Sequence, residues 1–223
     1  MNRTKIEWAD YTVNFIKGKC PMQCAYQGRV YCYACKMYDR FKWNPTIRWD
    51  ENEYRSALHK LANIQKPQTV FINSTMELMH PNIKPEWLLK IMDFVGLLYQ
   101  HRFIMLTKMP HKLKNYIFPE NLWVGASITF DNELDAMNDL AALYHCRPHK
   151  ILSLEPLLGE PIAQEYLKPL IEWIIIGGLS PVPVHDMTWI QNLLILNEGK
   201  IPVFIKSNAH YEINIKEYPW PNG

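Results

Sequence analysis

Four of the chain's five cysteines lie on one stretch, GKCPMQCAYQGRVYCYACKMYDRF, at Cys20, Cys24, Cys32 and Cys35. Their spacing is C-x3-C-x7-C-x2-C. Clustered thiols serve three chemistries: a closed zinc tetrahedron, a disulfide frame, or an iron–sulfur cluster. A zinc site needs all four thiols, and its usual signal is two close pairs across a longer loop. Here the first pair is x3 and the gap between pairs is only seven residues. Three thiolates on one loop would leave one iron of a four-iron cluster without a protein ligand. An iron left open in that way can bind and reduce a small molecule. The cluster reading is preferred to zinc, and the disulfide frame trails both. Cys146, in YHCRPHK, stands apart and reads as a buried inert thiol. His145 and His149 beside it read as surface or internally satisfied histidines.

The elements that position these thiols follow from the apolar pattern. Short β-branched runs recur at 11–18, 69–74, 102–108, 122–128, 150–156, 172–178 and 201–207. Near-continuous apolar strands of this length suit a parallel sheet covered on both faces. Helical spacing fills the intervals at 33–41, 50–65, 85–100, 131–145 and 186–199. Pro85 suits a first helical turn and Gly199 a helix stop. About seven strands alternating with helices imply right-handed βαβ units. The expected class is α/β with parallel strands, first as a barrel or partial barrel and second as an open doubly wound sheet. No Gly-x-Gly-x-x-Gly follows a strand, which counts against a dinucleotide site. The tail at about 208–223 reads as irregular.

With 223 residues the chain reads as one domain, 1–223, with a cysteine loop at about 18–36. A core of that size needs no metal or disulfide to hold it. The formal charge of +2 neither demands nor excludes nucleic acid. The polar start MNRTKIEWADYT is no signal peptide, and no apolar run reaches the length of a membrane span. The expectation is a cytoplasmic protein without membrane contact, whose thiols stay reduced.

In parallel α/β barrels function gathers at the carboxyl ends of strands. Those ends carry the cysteine loop, then Asn73, Ser74, Glu77 and His80, then Thr107 and Lys108, then Ser127. Further on they carry Ser153 and Glu155, Gly177 and Gly178, Ser180, and Lys206 with Ser207. Glu155 and Lys206 are the catalytic candidates, because an acid and a base flanked by apolar runs need partners if buried. The paired glycines either let the backbone approach a ligand or make a tight turn.

These stretches resemble a family. TKIEWADYTVNF, CYACKMYDRF, VFINSTMELMHP, FIMLTKMP, FPENLWVGASI, SLEPLLG, WIIIGGLSP and PVFIKS match, in order and over nearly the whole chain, the phage- and prophage-associated three-cysteine-motif proteins. That family is similar to radical S-adenosylmethionine enzymes. The resemblance implies a partial TIM-like (β/α)6–7 barrel with a [4Fe–4S] cluster on the loop after the first strand. It implies S-adenosylmethionine on the open iron, reductive cleavage to a 5′-deoxyadenosyl radical, and hydrogen abstraction from a substrate. Cys20, Cys24 and Cys32 become the cluster ligands, and Cys35, standing where the family has glutamate, is the spare or alternative ligand. Ser74, Glu77, Lys108, Ser153, Glu155, Gly177, Gly178 and Lys206 become candidates to bind S-adenosylmethionine or a substrate anion. An electron donor protein and a family partner protein are implied partners, in the host cytoplasm if the chain is phage-encoded. The chain departs from the family at the seven-residue gap AYQGRVY, at Leu179, and at VNF in place of WNP.

Two rivals stand beside this reading. One is a zinc-stabilised phage nucleic-acid-binding protein, for which KMYDRFKWNPTIRW offers basic and aromatic residues. The same stretch also reads as a helix and loop whose aromatic face is core, and that reading is preferred. The other rival is a family member that binds the cluster without activity.

Overall fold

The computed structural model describes residues 1–144, 146, 149–161, 171–181 and 183–220. His145 and the last three residues of the expected tail lie outside the described residues. The chain forms two compact units, 1–107 with 118–123 and 108–117 with 124–223.

The first unit opens with β1 (Asn2–Arg3) antiparallel to β2 (Tyr11–Val13). A short β3 (Ile16–Lys17) follows, then a hairpin of β4 (Ala25–Tyr26) and β5 (Arg29–Val30). Helix α1 (Tyr33–Phe41), strand β6 (Arg48–Trp49) and helix α2 (Glu51–Ala62) lead to β7 (Thr69–Ile72). Helix α3 (Pro85–Leu97) and β8 (Arg102–Thr107) complete the unit. β7 pairs in parallel with β2 through Tyr11↔Val70 and with β8 through Val70↔Phe103. Asp50 caps α2, its Oδ1 accepting from Glu53 N at 3.0 Å, a contact worth roughly 0.5–2 kcal/mol. The core is aromatic: Phe94 meets Phe15 edge-on at 4.8 Å and Phe103 at 5.7 Å.

β9 (Leu122–Ser127) begins in the first unit and ends in the second. The second unit continues with α4 (Glu133–Tyr144), β10 (His149–Leu154), β11 (Trp173–Ile176), α5 (Met187–Asn197) and β12 (Val203–Ile205). β11 is parallel to both neighbours, through Leu152↔Ile174 and Ile175↔Phe204. All four of its residues are buried, as a strand covered on both faces requires. The eight-stranded sheet has the order β1-β2-β7-β8-β9-β10-β11-β12, and within it the seven strands after β1 run parallel. The α/β class and the parallel strands agree with the sequence reading.

Two details differ from that reading. The strand at 11–18 is broken, because Asn73 intrudes on it. Asn73 sits in the left-handed region (φ 52°) that asparagine tolerates. Its side chain accepts from Phe15 N and donates to Ile16 O, both at 3.0 Å, in place of a neighbouring strand. The tail is irregular but clipped on: Ile205 N donates to Ile215 O, and Glu217 N to Val203 O. Tyr218 and Trp220 lie against Trp173 at 5.6 and 5.1 Å.

Candidate metal and cofactor site

The cysteine loop hangs between two fixed points. At its start Gly18 N donates to Tyr38 Oη at 2.8 Å, and Lys19 N to Pro45 O at 3.0 Å. At its end Cys32 is the N-cap of α1. Between them the seven-residue gap folds back on itself. β4 and β5 are joined through Gln27 (φ 47°) and Gly28 (φ 74°), the two positive φ values that a tight hairpin turn needs. The hairpin is closed at its root, where Cys24 O accepts from Tyr31 N at 3.0 Å and from Cys32 N at 3.4 Å. The insertion therefore leaves the line of the loop, and Cys24 and Cys32 are neighbours despite seven intervening residues.

No disulfide joins the cysteines. Cys20 and Cys35 are buried, whereas Cys24 and Cys32 are half-buried. Burial pushes the Cys20 thiol up, with Cys32 and Cys24 adding to it. Backbone N–H groups of Met22 and Glu77 donate to the Cys20 sulfur and act the other way. Such donors tune thiolate sulfurs in iron–sulfur sites. Cys35 is pushed up to about 12, by burial first and then by Cys32, with which it shares a hydrogen bond. Its Sγ also donates to Cys20 O at 3.6 Å. Among the described residues no three His, Cys, Asp or Glu side chains are already gathered as a metal cage. The donor chemistry nonetheless fits a soft metal centre, since four thiols share one loop. Without a cation, thiolates at such spacing repel each other; a metal supplies the missing positive charge and displaces the protons.

The strand-end residues of the first unit support this loop. Tyr33 Oη donates to Ser74 O at 3.0 Å, and Ser74 Oγ to Asn14 Oδ1 at 3.3 Å. Glu77 is buried; its Oε1 accepts from Thr107 Oγ1 at 2.6 Å and Met79 N at 2.9 Å. So Ser74 and Glu77 lie beside the cysteines, with their polar atoms engaged by the chain.

The second unit gathers the other candidates. Lys206 Nζ and Glu155 Oε1 form an ion pair, each side chain one-fifth exposed. Lys108 Nζ donates to Glu155 O at 3.5 Å. A Cβ on Gly177 would come within 2.7 Å of Glu155 Cγ and Oε1, so the glycine makes room for that carboxylate. At Gly178 the space is filled by Asn208, Pro183 and His185. Ser153 is fully buried, and its Oγ has no hydrogen-bond partner among the described residues.

A family model covers residues 3–214, a span that takes in both the cysteine loop and the Glu155–Lys206 pair. The chain belongs to DUF5131, a family described as proteins of unknown function. No curated protein and no solved structure matches it. Among the described residues of this DUF5131 protein, no helix is long and apolar enough to cross a membrane.

Two features of the DUF5131 chain depart from the preferred sequence reading. The first is that KMYDRFKWNPTIRW is not a core face. Tyr38 is buried, but Phe41 and Trp43 are half exposed. Their rings stack at 5.3 Å and 22°, and Arg40 lies 5.3 Å over Phe41. Lys42 ends α1 in the left-handed region (φ 51°), which turns the chain outward before Trp43.

The second is Asp139 on α4. Burial, then the charge of Asp135, push its carboxyl up from 3.8 to about 6, against the pull of Lys108. The folded chain therefore holds this proton more tightly than the unfolded one. The resulting stability is fully present below 3.8 and is lost as pH rises through about 6. Asp139→Asn should raise stability at neutral pH by about 1 kcal/mol, after allowance for solvent screening. Urea midpoints followed across that acid window should decline in the parent and less in the variant. An identical decline in both would remove Asp139 as the cause.

Proposed function

We propose that this DUF5131 protein is a radical S-adenosylmethionine-type enzyme built on a partial TIM-like (β/α)6–7 barrel. The observation that carries the reading is the hairpin. It sets Cys24 beside Cys32, and Cys20 senses both. Cys20, Cys24 and Cys32 would hold a [4Fe–4S] cluster, with Cys35 behind them as the spare thiol. When bound, the cluster supplies one electron for reductive cleavage of S-adenosylmethionine to a 5′-deoxyadenosyl radical. Cys20 is buried, and the Met22 and Glu77 N–H groups stabilise negative charge on it, whereas Cys24 and Cys32 stay half-buried and within reach of a ligand. In the second unit the Glu155–Lys206 pair is the candidate to meet the charged groups of a polar ligand. The unmatched Ser153 hydroxyl suits a polar ligand atom. The substrate is a separate molecule, in this reading a nucleobase or nucleic acid. An electron donor protein and a family partner protein would act with the enzyme in the cytoplasm of a phage host.

Anaerobic purification followed by iron, sulfide and zinc assays tests the proposal. About four irons per chain are expected; one zinc and no iron would overturn it. With reductant and S-adenosylmethionine the loaded protein should release 5′-deoxyadenosine. A loaded protein that releases none is a cluster-binding member without activity.

The exposed Phe41–Trp43 stack beside Arg40 favours a second reading, as a nucleic-acid-binding protein. Aromatic stacking contributes roughly 1–3 kcal/mol per base and tolerates any sequence. Trp43→Ala should then weaken single-stranded oligonucleotide binding about tenfold or more. A parent protein with no salt-sensitive binding ends this reading.

A further inference from the structure

We propose that Cys32 and Cys35 form a reversible dithiol–disulfide pair that closes under oxidation when no metal occupies the cysteine loop. The two thiols are the N-cap and third residue of α1, a C-x-x-C at a helix start. A C-x-x-C at a helix start is the spacing of thiol–disulfide centres. Their side chains already share a hydrogen bond. Access is asymmetric: Cys32 is half-buried, whereas Cys35 is 2% exposed and beyond the reach of a solution oxidant. Cys20 is a poorer partner, because it is buried and its sulfur accepts two backbone N–H groups. Cys24 lies across the hairpin root.

The oxidant is a small-molecule disulfide of the glutathione class. The Cys32 thiolate attacks one of its sulfurs, and the first glutathione thiol leaves. The Cys35 thiol gives up its proton to the departing glutathione thiolate as it attacks the Cys32 sulfur, and the second glutathione leaves as a thiol. Two protein thiols lose two protons and two electrons, and the oxidant gains them. The pairing itself needs no metal. Its consequence, that the closed form refuses metal, rests on the reading of the loop given above.

Trypsin supplies the test, because Lys19, Arg29 and Lys36 bracket two peptides. Peptide 20–29 carries Cys20 and Cys24, and peptide 30–36 carries Cys32 and Cys35. Metal-stripped protein is equilibrated in glutathione buffers from reducing to oxidising, alkylated, digested and weighed. Peptide 30–36 should lose two hydrogens and escape alkylation, whereas 20–29 stays fully alkylated. Dithiothreitol should reverse the change. Closure within 20–29, a link between the two peptides, or alkylation or glutathionylation of 30–36 in the most oxidising buffer would overturn the pair. Cobalt(II) serves as the metal probe in a second arm. The reduced chain should develop thiolate–cobalt absorption and the oxidised chain none, and in Cys35→Ser the oxidising buffer should leave one glutathione on peptide 30–36. If the reduced parent takes no cobalt, the metal reading fails while the peptide result for 30–36 stands.

Discussion

Cys32→Ala should leave the chain folded and without iron. Cys32 is half-buried and makes no side-chain capping bond at α1, so its truncation removes little packing and only its contact with the Cys35 thiol. Stability should stay within about 0.5 kcal/mol of the parent, as for other substitutions away from the core. Metal binding is a different matter, since a ligand lost from a three-thiol set cannot be replaced by alanine. Anaerobically prepared protein should fall from about four irons per chain to a small fraction of one. Release of 5′-deoxyadenosine should fall to background with it. A brown, iron-replete variant would defeat the assignment. Cys35→Ser is the companion measurement. It should retain iron if Cys35 is the spare thiol, and should lose it at unchanged stability if Cys35 is a ligand.

Gly18→Val should have the largest effect on folding. Gly18 has φ 124°, a conformation that L side chains rarely adopt. A Cβ there would stand 2.7 Å from both Ile47 Cα and Thr46 O, which are backbone atoms with no rotamer to yield. Backbone strain and overpacking together predict a loss of about 3–5 kcal/mol. The damage should concentrate where the chain enters the cysteine loop. β3 pairs there with β6 through Lys17↔Arg48, and Tyr38 holds the Gly18 N–H. Urea unfolding should show the lower midpoint, and brief proteolysis should cut first at Lys19 or Arg48. A midpoint unchanged from the parent would mean that segment 42–49 moves aside at no cost.

The long strands and helices were legible because their signal is local and strong. VFI, FIML and WIII are unbroken apolar runs, and the structure places strands at Thr69–Ile72, Arg102–Thr107 and Trp173–Ile176. What was missed depends on residues distant in sequence. Nothing in YTVNFIKG says that Asn73 will reach back and split it. The hairpin was partly visible, since Gln27-Gly28 between two short β-prone pairs is a turn signal, but the seven-residue gap drew attention as a departure in spacing. The exposed Trp43 was read as core because an aromatic residue is usually buried, and the left-handed turn at Lys42 carries no glycine to mark it. Asp139 looked like an ordinary polar position on a helix; only the packed chain reveals its burial. The strand-end rule singled out Ser74 and Glu77, which the fold sets near the cysteine loop, and Glu155 and Lys206, which form an ion pair.

The hairpin also offers an engineering handle. Its root is fixed by Cys24, while Gln27 and Gly28 at its tip are exposed, and a side chain added at Gly28 would meet nothing within 4 Å. Exposed tips of this kind accept inserted sequence. A fluorophore or short tag placed there rides on the strand that joins two candidate ligands. Its signal would report whether the loop is filled, closed or open in an intact protein, with no residue of the site altered.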